Sequence, residues 1–93
     1  MEYIEYRERR LQQDPELARA YEQENLEREI ARQILRLRQA QGWTQAQLAE
    51  ALGTKQSVVA RLESGSHRPS LSTLEKICQV LGARLEVRLM PTG

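Results

Sequence analysis

Cysteine, histidine and phenylalanine are almost missing from this chain of 93 residues, which has one cysteine, one histidine and no phenylalanine. A lone cysteine, Cys78, makes an intramolecular disulfide impossible and excludes a cysteine metal cage. One histidine, no paired acids outside charged helical stretches and no phosphate-cradling glycine loop leave nothing to run a reaction. An enzyme is therefore not expected, and neither is a metal or a cofactor. No apolar run approaches the roughly 20 residues of a membrane span. The opening MEYIEYRERR has no apolar signal region either, so the reading is a cytoplasmic protein. With only three tyrosines and one tryptophan, the core must be aliphatic. The 40% hydrophobic content allows one modest domain plus at most an appendage.

The net charge of +1 hides an asymmetry. Residues 1–31 carry nine acidic side chains against five arginines, whereas residues 32–93 carry nine lysines and arginines against four glutamates. The basic part suits a phosphate backbone. The acidic part suits a basic protein surface, and a solvated helix with internal salt bridges would look much the same.

The densest information lies in Gly42–Gly65, GWTQAQLAEALGTKQSVVARLESG. Leu48, Ala49 and Leu52 recur at helical spacing, as do Val58, Val59 and Leu62. Gly53 separates the two runs, at a turn where a left-handed residue costs any side chain about 1 kcal/mol and glycine almost nothing. Ala49 falls where the helices would cross and must be small there, with Val59 and Leu62 covering the crossing. These offsets predict a helix-turn-helix unit. Thr44 and Gln47 form a capping box, and Trp43 and Leu48 are placed as a hydrophobic staple around it. Thr54 is the expected cap of the second helix, and Ser64-Gly65 its end.

The flanks are also legible. Residues 2–13 are charged and carry Tyr3, Ile4, Tyr6 and Leu11. Asp14-Pro15-Glu16 starts a long helix running to about Gln41, with a bend or second helix possible near Asn25. Its apolar positions are Leu17 and Tyr21, then Leu26, Ile30, Ile34 and Leu37. Pro69 and Ser70 open a further helix through Leu71, Leu74, Ile77, Cys78 and Leu81, in which Cys78 reads as a buried, inert thiol. Finally Leu85, Val87 and Leu89 alternate with Arg84, Glu86 and Arg88, the period of a half-buried strand. A strand needs a partner, and the economical one is the same strand of a second copy across a two-fold axis. A tail lying on its own core is the alternative. The expected divisions are an acidic helical extension over 1–31, the DNA-binding unit over 32–82, and a dimerisation strand and tail over 83–93.

In a helix-turn-helix the second helix enters the major groove and its first residues reach base edges. Here these are Thr54, Lys55, Gln56 and Ser57, with Arg61 one turn later. Glutamine pairs bidentately with adenine and arginine with guanine. Gln45 at the start of the first helix, and Ser66, His67 and Arg68 after the second, are candidates for phosphate. Solvated helix surface is the alternative for Gln56 and Arg61.

These residues resemble the Cro/phage-repressor (XRE) helix-turn-helix family. The resemblance covers Arg38 through Gly82 and rests on Arg38, Gly42-Trp43-Thr44-Gln45, Leu48-Ala49, Gly53, Gln56-Ser57, Arg61-Leu62-Glu63, Gly65 and Pro69-Ser70-Leu71. It implies an all-α, five-helix DNA-binding domain on double-stranded operator DNA, with an Arg38–Glu63 ion pair bracing it and Arg38 also turned toward a phosphate. Trp43 departs from the leucine more usual there. The acidic Asp-Pro-Glu-Leu helix before the domain and the Leu-Glu-Val-Arg-Leu strand after it are similar to HigA-type antitoxins. That similarity implies a second partner, a small basic RelE-like toxin that cleaves mRNA, attracted by residues 2–29 and anchored on Tyr3, Ile4, Tyr6, Leu11, Leu17 and Tyr21. A stand-alone repressor and a pure protein-interaction module are the competing functions.

Overall fold

In the computed structural model, residues 15–92 are described, together with the backbone but not the side chains of 18–24. Among the described residues four helices follow one another: α1 (Pro15–Ala40), α2 (Gln45–Leu52), α3 (Gln56–Ser64) and α4 (Leu71–Val80). The predicted long helix is a single uninterrupted element, without a break at Asn25. The division expected between residues 31 and 32 falls inside it, and both Ile30 and Ala31 pack with the domain. Asp14, the expected cap, and Tyr3, Ile4, Tyr6 and Leu11 lie outside the described residues, as does the side chain of Tyr21. Leu17 is half-buried.

Each helix end has a local cause. At the end of α1 the amide of Gly42 donates to the Gln39 carbonyl and that of Trp43 to the Arg38 carbonyl, at 2.9 and 3.2 Å. These are the two bonds of a Schellman closure, which satisfies carbonyls the helix leaves open. The capping box of α2 is complete: the Gln47 amide donates to Thr44 Oγ1 at 3.1 Å, and the Thr44 amide donates to Gln47 Oε1 at 2.7 Å. Gly53 ends α2 in the left-handed region, at φ 69°. Ser70 caps α4 by accepting the Thr73 amide at 3.1 Å.

The expected cap of α3 is displaced by one residue. Lys55, not Thr54, stands at the cap position, and no side chain bonds to the first amides of α3. The closure of α2 is the reason. The Thr54 amide is drawn back onto the Ala49 carbonyl at 2.9 Å, which makes Thr54 the last residue of the preceding motif. The extended conformation required before a helix then falls on Lys55, and lysine has no acceptor to offer.

The core is aliphatic. Ile34 of α1, Leu48, Ala49 and Leu52 of α2, Val59 and Leu62 of α3, Ile77 of α4 and Leu81 after it are buried together. Ala49 is 3% exposed at the α2–α3 crossing, with Val59 and Leu62 equally covered, as predicted. Leu48, Val59, Ile77 and Leu81 are the largest fully buried side chains, each stabilising the fold by about 1.5–3 kcal/mol. Trp43 and Leu37 pack against the edge of this cluster.

Two expectations about burial change. Leu26 is 57% exposed, and Cys78 is half-buried rather than enclosed. Both line an apolar groove of about 330 Å³ with Ile30, Leu74, Leu85 and Val87. Of the expected α1 stripe Ile34 is buried in the core and Ile30 and Leu37 pack against it, and Ala31, not expected there, is buried as well. After Gly82 the chain runs through 83–92 without regular structure, and no strand occurs among the described residues. Leu85 is half-buried, while Val87, Leu89 and Met90 are 64%, 94% and 78% exposed. The strand expected over 85–89 is therefore not formed within the single chain.

Candidate nucleic-acid interface

The groove-reading residues project from the start of α3. Lys55, Gln56, Ser57 and Arg61 are exposed, and among the described residues no intramolecular hydrogen bond or ion pair engages their side chains. Thr54 is exposed beside them. Val59 and Leu62 anchor the opposite face of α3 in the core, so the helix turns its polar face outward as a unit. Glutamine, serine, lysine and arginine on one free helix face supply the donors and acceptors that base edges and phosphates take up.

Behind this face α3 is fixed by charge. Arg38 Nε and Nη2 donate to Glu63 Oε2 and Oε1 at 2.6 and 2.9 Å, a two-pronged pair, and Arg38 Nη1 donates to the Trp43 carbonyl at 2.7 Å. The two side chains are 12% and 4% exposed. Hydrogen bonding by Glu63 raises the Arg38 pKa above its ordinary value; burial opposes this, and the direct attraction of the carboxylate adds to it. The ion pair implied by the family resemblance is therefore present. The phosphate-facing role for Arg38 is not, because its guanidinium is already occupied on both edges.

Gln45 joins the same cluster. Its Nε2 donates to Glu63 Oε1 at 3.1 Å and the residue is half-buried, so its side chain sits in the brace instead of reaching toward a phosphate. That contact draws the start of α2 up against the end of α3.

The loop after α3 holds the remaining candidates. Gly65 is left-handed, at φ 77°. A β-carbon there would lie 3.5 Å from Arg28 Cγ and 3.8 Å from Ala31 Cβ, so the loop rests directly on α1. Ser66 Oγ shares a hydrogen bond with Ser64 Oγ at 2.8 Å. Arg68 Nε donates to Glu27 Oε1 of α1 at 3.2 Å. His67 is exposed. Neither Glu27 nor Arg28 is flagged by sequence; the Arg68–Glu27 pair spans 41 positions, and no local pattern announces it.

Among the described residues no group of histidine, cysteine, aspartate or glutamate is placed to hold a metal, and no helix is long and apolar enough to cross a membrane. The exposed polar face of α3, braced from behind and flanked by a turn and a basic loop, defines a helix-turn-helix DNA-binding domain.

Comparison with known proteins gives the same result. Residues 34–87 match the Helix-turn-helix family, and the chain belongs to it, in its XRE branch. The HTH-type transcriptional regulator SutR of Escherichia coli K12 is 32% identical over 68 residues, 73% of this chain and 38% of SutR. Antitoxin HipB of Escherichia coli O6:H1 is 38% identical over 53 residues, 57% of this chain and 56% of HipB. An HTH-type transcriptional regulator of Haemophilus influenzae is 36% identical over 63 residues, 68% of this chain and 64% of that protein. Each match spans less than two thirds of the relative's own length. By name these relatives are two transcriptional regulators and an antitoxin.

Proposed function

We propose that this chain is the DNA-binding antitoxin of a type II toxin–antitoxin pair, of the HigA type. It represses its own operon as a homodimer and neutralises a small basic, RelE-like mRNA-cleaving toxin. The observation that carries the reading is an acidic segment, residues 1–31, that runs into the first half of α1 and so is continuous with a helix-turn-helix unit whose reading residues are unengaged among the described residues. Likeness to Antitoxin HipB supports the second role. Lys55, Gln56, Ser57 and Arg61 read bases, Thr54, Ser66 and Arg68 contact the backbone, and Gln45 acts through the start of α2. The acidic residues ahead of the domain attract the toxin, with Tyr3, Ile4, Tyr6, Leu11, Leu17 and Tyr21 as apolar anchors.

The dimer forms through the C-terminal segment. An antiparallel pair centred on Val87 sets Leu85 opposite Leu89 and Glu86 opposite Arg88 of the second copy. Opposite charges then face one another on one side and aliphatics on the other. Among the described residues Glu86 pairs with exposed arginines alone, Arg84 at 2.6 Å and Arg88 at 4.0 Å, which it can exchange for the partner's.

A stand-alone repressor is the second reading, supported by the likeness to SutR over 73% of the chain. Copurification with the product of the neighbouring reading frame separates the two. A complex with a small basic protein, lost on removing residues 1–24, establishes the antitoxin role and its surface. That truncation leaves Ile30 and Ala31 in place for the core. Operator binding with no such complex establishes the repressor.

A further inference from the structure

We infer that Glu27 attenuates the DNA affinity of this protein through Arg68, so that α1 and the DNA-facing loop compete for one guanidinium. The inference rests on the DNA-binding reading and on the phosphate role of the loop after α3.

Arg68 is held by a single contact, Nε to Glu27 Oε1 at 3.2 Å, with the side chains 54% and 28% exposed. Its four Nη hydrogens meet no other acceptor among the described residues. The contact is kept in place by the backbone beneath it. Gly65 lies against Arg28 and Ala31, one and four positions along α1 from Glu27, and Pro69, directly after Arg68, is buried. Arg68 therefore stays within reach of Glu27 whenever the loop is folded.

Phosphate recognition by Arg68 must then proceed in one of two ways. Either the guanidinium leaves Glu27, forfeiting that pair, or it keeps the pair and brings a phosphate close to a carboxylate. Both lower the affinity, the first by competition and the second by like-charge repulsion. Glu27 is thus a brake on DNA binding whichever route is taken. Its carboxylate belongs to the same acidic segment, residues 1–31, that the proposed toxin approaches. Anything cationic that neutralises Glu27 from the α1 side releases Arg68 to DNA, and by linkage DNA raises the affinity for that cation.

The test is a double-mutant cycle on the full chain, with an operator duplex selected from a random-sequence pool. Glu27→Gln is expected to tighten binding roughly two- to five-fold at moderate salt. In an Arg68→Gln background the same substitution is expected to have no effect. Glu29→Gln controls for the general loss of negative charge, because Glu29 bonds Arg32 and Gln33 and not Arg68. Equal tightening by Glu27→Gln and Glu29→Gln, or tightening that persists without Arg68, overturns the inference. So does weaker binding by Glu27→Gln, which would make Glu27 a positioning residue for Arg68. If the wild-type chain selects no duplex, the DNA-binding reading fails first and takes the inference with it. The Arg68 Nε–H signal of the free protein, expected to shift in Glu27→Gln but not in Glu29→Gln, reports the pair without DNA.

Discussion

Replacing Glu63 with alanine removes three hydrogen bonds at once, two from Arg38 and one from Gln45. The Arg38 side chain, 12% exposed in the intact pair, then keeps only the Trp43 carbonyl as a partner. Breaking a fully buried pair costs about 3–5 kcal/mol, against about 0–1 for a surface pair. Arg38 keeps one carbonyl and some water, which sets the expectation near the lower end of the buried range, about 3 kcal/mol. For a domain of this size that is a fall in melting temperature of roughly 12–24 °C. Urea denaturation measures it directly, with an unchanged m-value showing that the denatured state is not altered.

Three controls sharpen the result. Raising salt from about 0.1 to about 1 M should leave most of the difference, because a pair removed from water is weakly screened. Arg38→Met combined with Glu63→Leu should recover much of the lost stability, since the cost lies in the orphaned charge and not in the absent pair. The sign of any pH effect follows from the raised pKa of Arg38. A group whose pKa rises on folding contributes in full below its unfolded value and fades only as pH climbs through its folded value. The Arg38 contribution is therefore flat from about pH 7 to about pH 10. A loss below about 1 kcal/mol for Glu63→Ala would refute the reasoning, placing the pair with solvated surface pairs.

Other substitutions probe the remaining elements. Thr44→Ala should cost about 1 kcal/mol by opening the α2 capping box, read by thermal unfolding. Gly53→Ala should cost about 1–2 kcal/mol, all of it backbone strain, because its β-carbon would meet nothing within 4 Å. Arg61→Ala should leave stability unchanged and weaken operator binding by roughly 1–3 kcal/mol, with relaxed preference at one base pair; unchanged affinity would remove Arg61 from the readout. Val87→Lys should dissociate the proposed dimer in sedimentation, through like charges on its proposed two-fold axis; a mutant that stays dimeric would refute the pairing register.

What the sequence reveals is mainly local. Thr44 and Gln47 act three positions apart, Ser70 and Thr73 likewise, and a local rule reads such pairs directly. The α2–α3 unit was legible because Ala49, Gly53, Val59 and Leu62 are steric requirements of one crossing. Thr54 misled because two local rules compete for it: threonine favours a cap, but the Gly53 turn had already used its amide. Gln45 misled because an exposed helix start looks free until a carboxylate 18 positions away claims its side chain. The Glu27–Arg68 contact, 41 positions apart, is set by how the loop lies on α1, and no spacing in the chain encodes that.

The periodicity of α1, read with its contacts, connects these findings. Glu27, Ala31, Ile34 and Arg38 stand at helical intervals of four, three and four, and eleven residues bring a helix back to nearly the same face. Ala31 and Ile34 are the buried middle of this stripe. Glu27 and Arg38, about 16 Å apart along the axis, are its charged ends. Arg38 grips Glu63 near the end of α3, and Glu27 grips Arg68 in the loop beyond. One rigid helix thus holds the recognition helix at its far end while its reading end is left without a side-chain cap. The two grips differ in kind, since the Arg38 pair is shielded and the Glu27 pair is open to water. The first sets where α3 points, so its loss should appear in stability and in DNA binding together. The second sets only how available Arg68 is, so its loss should appear in DNA binding alone. A Glu27→Gln variant that unfolds several degrees earlier would contradict this division, because an exposed pair has little stability to lose.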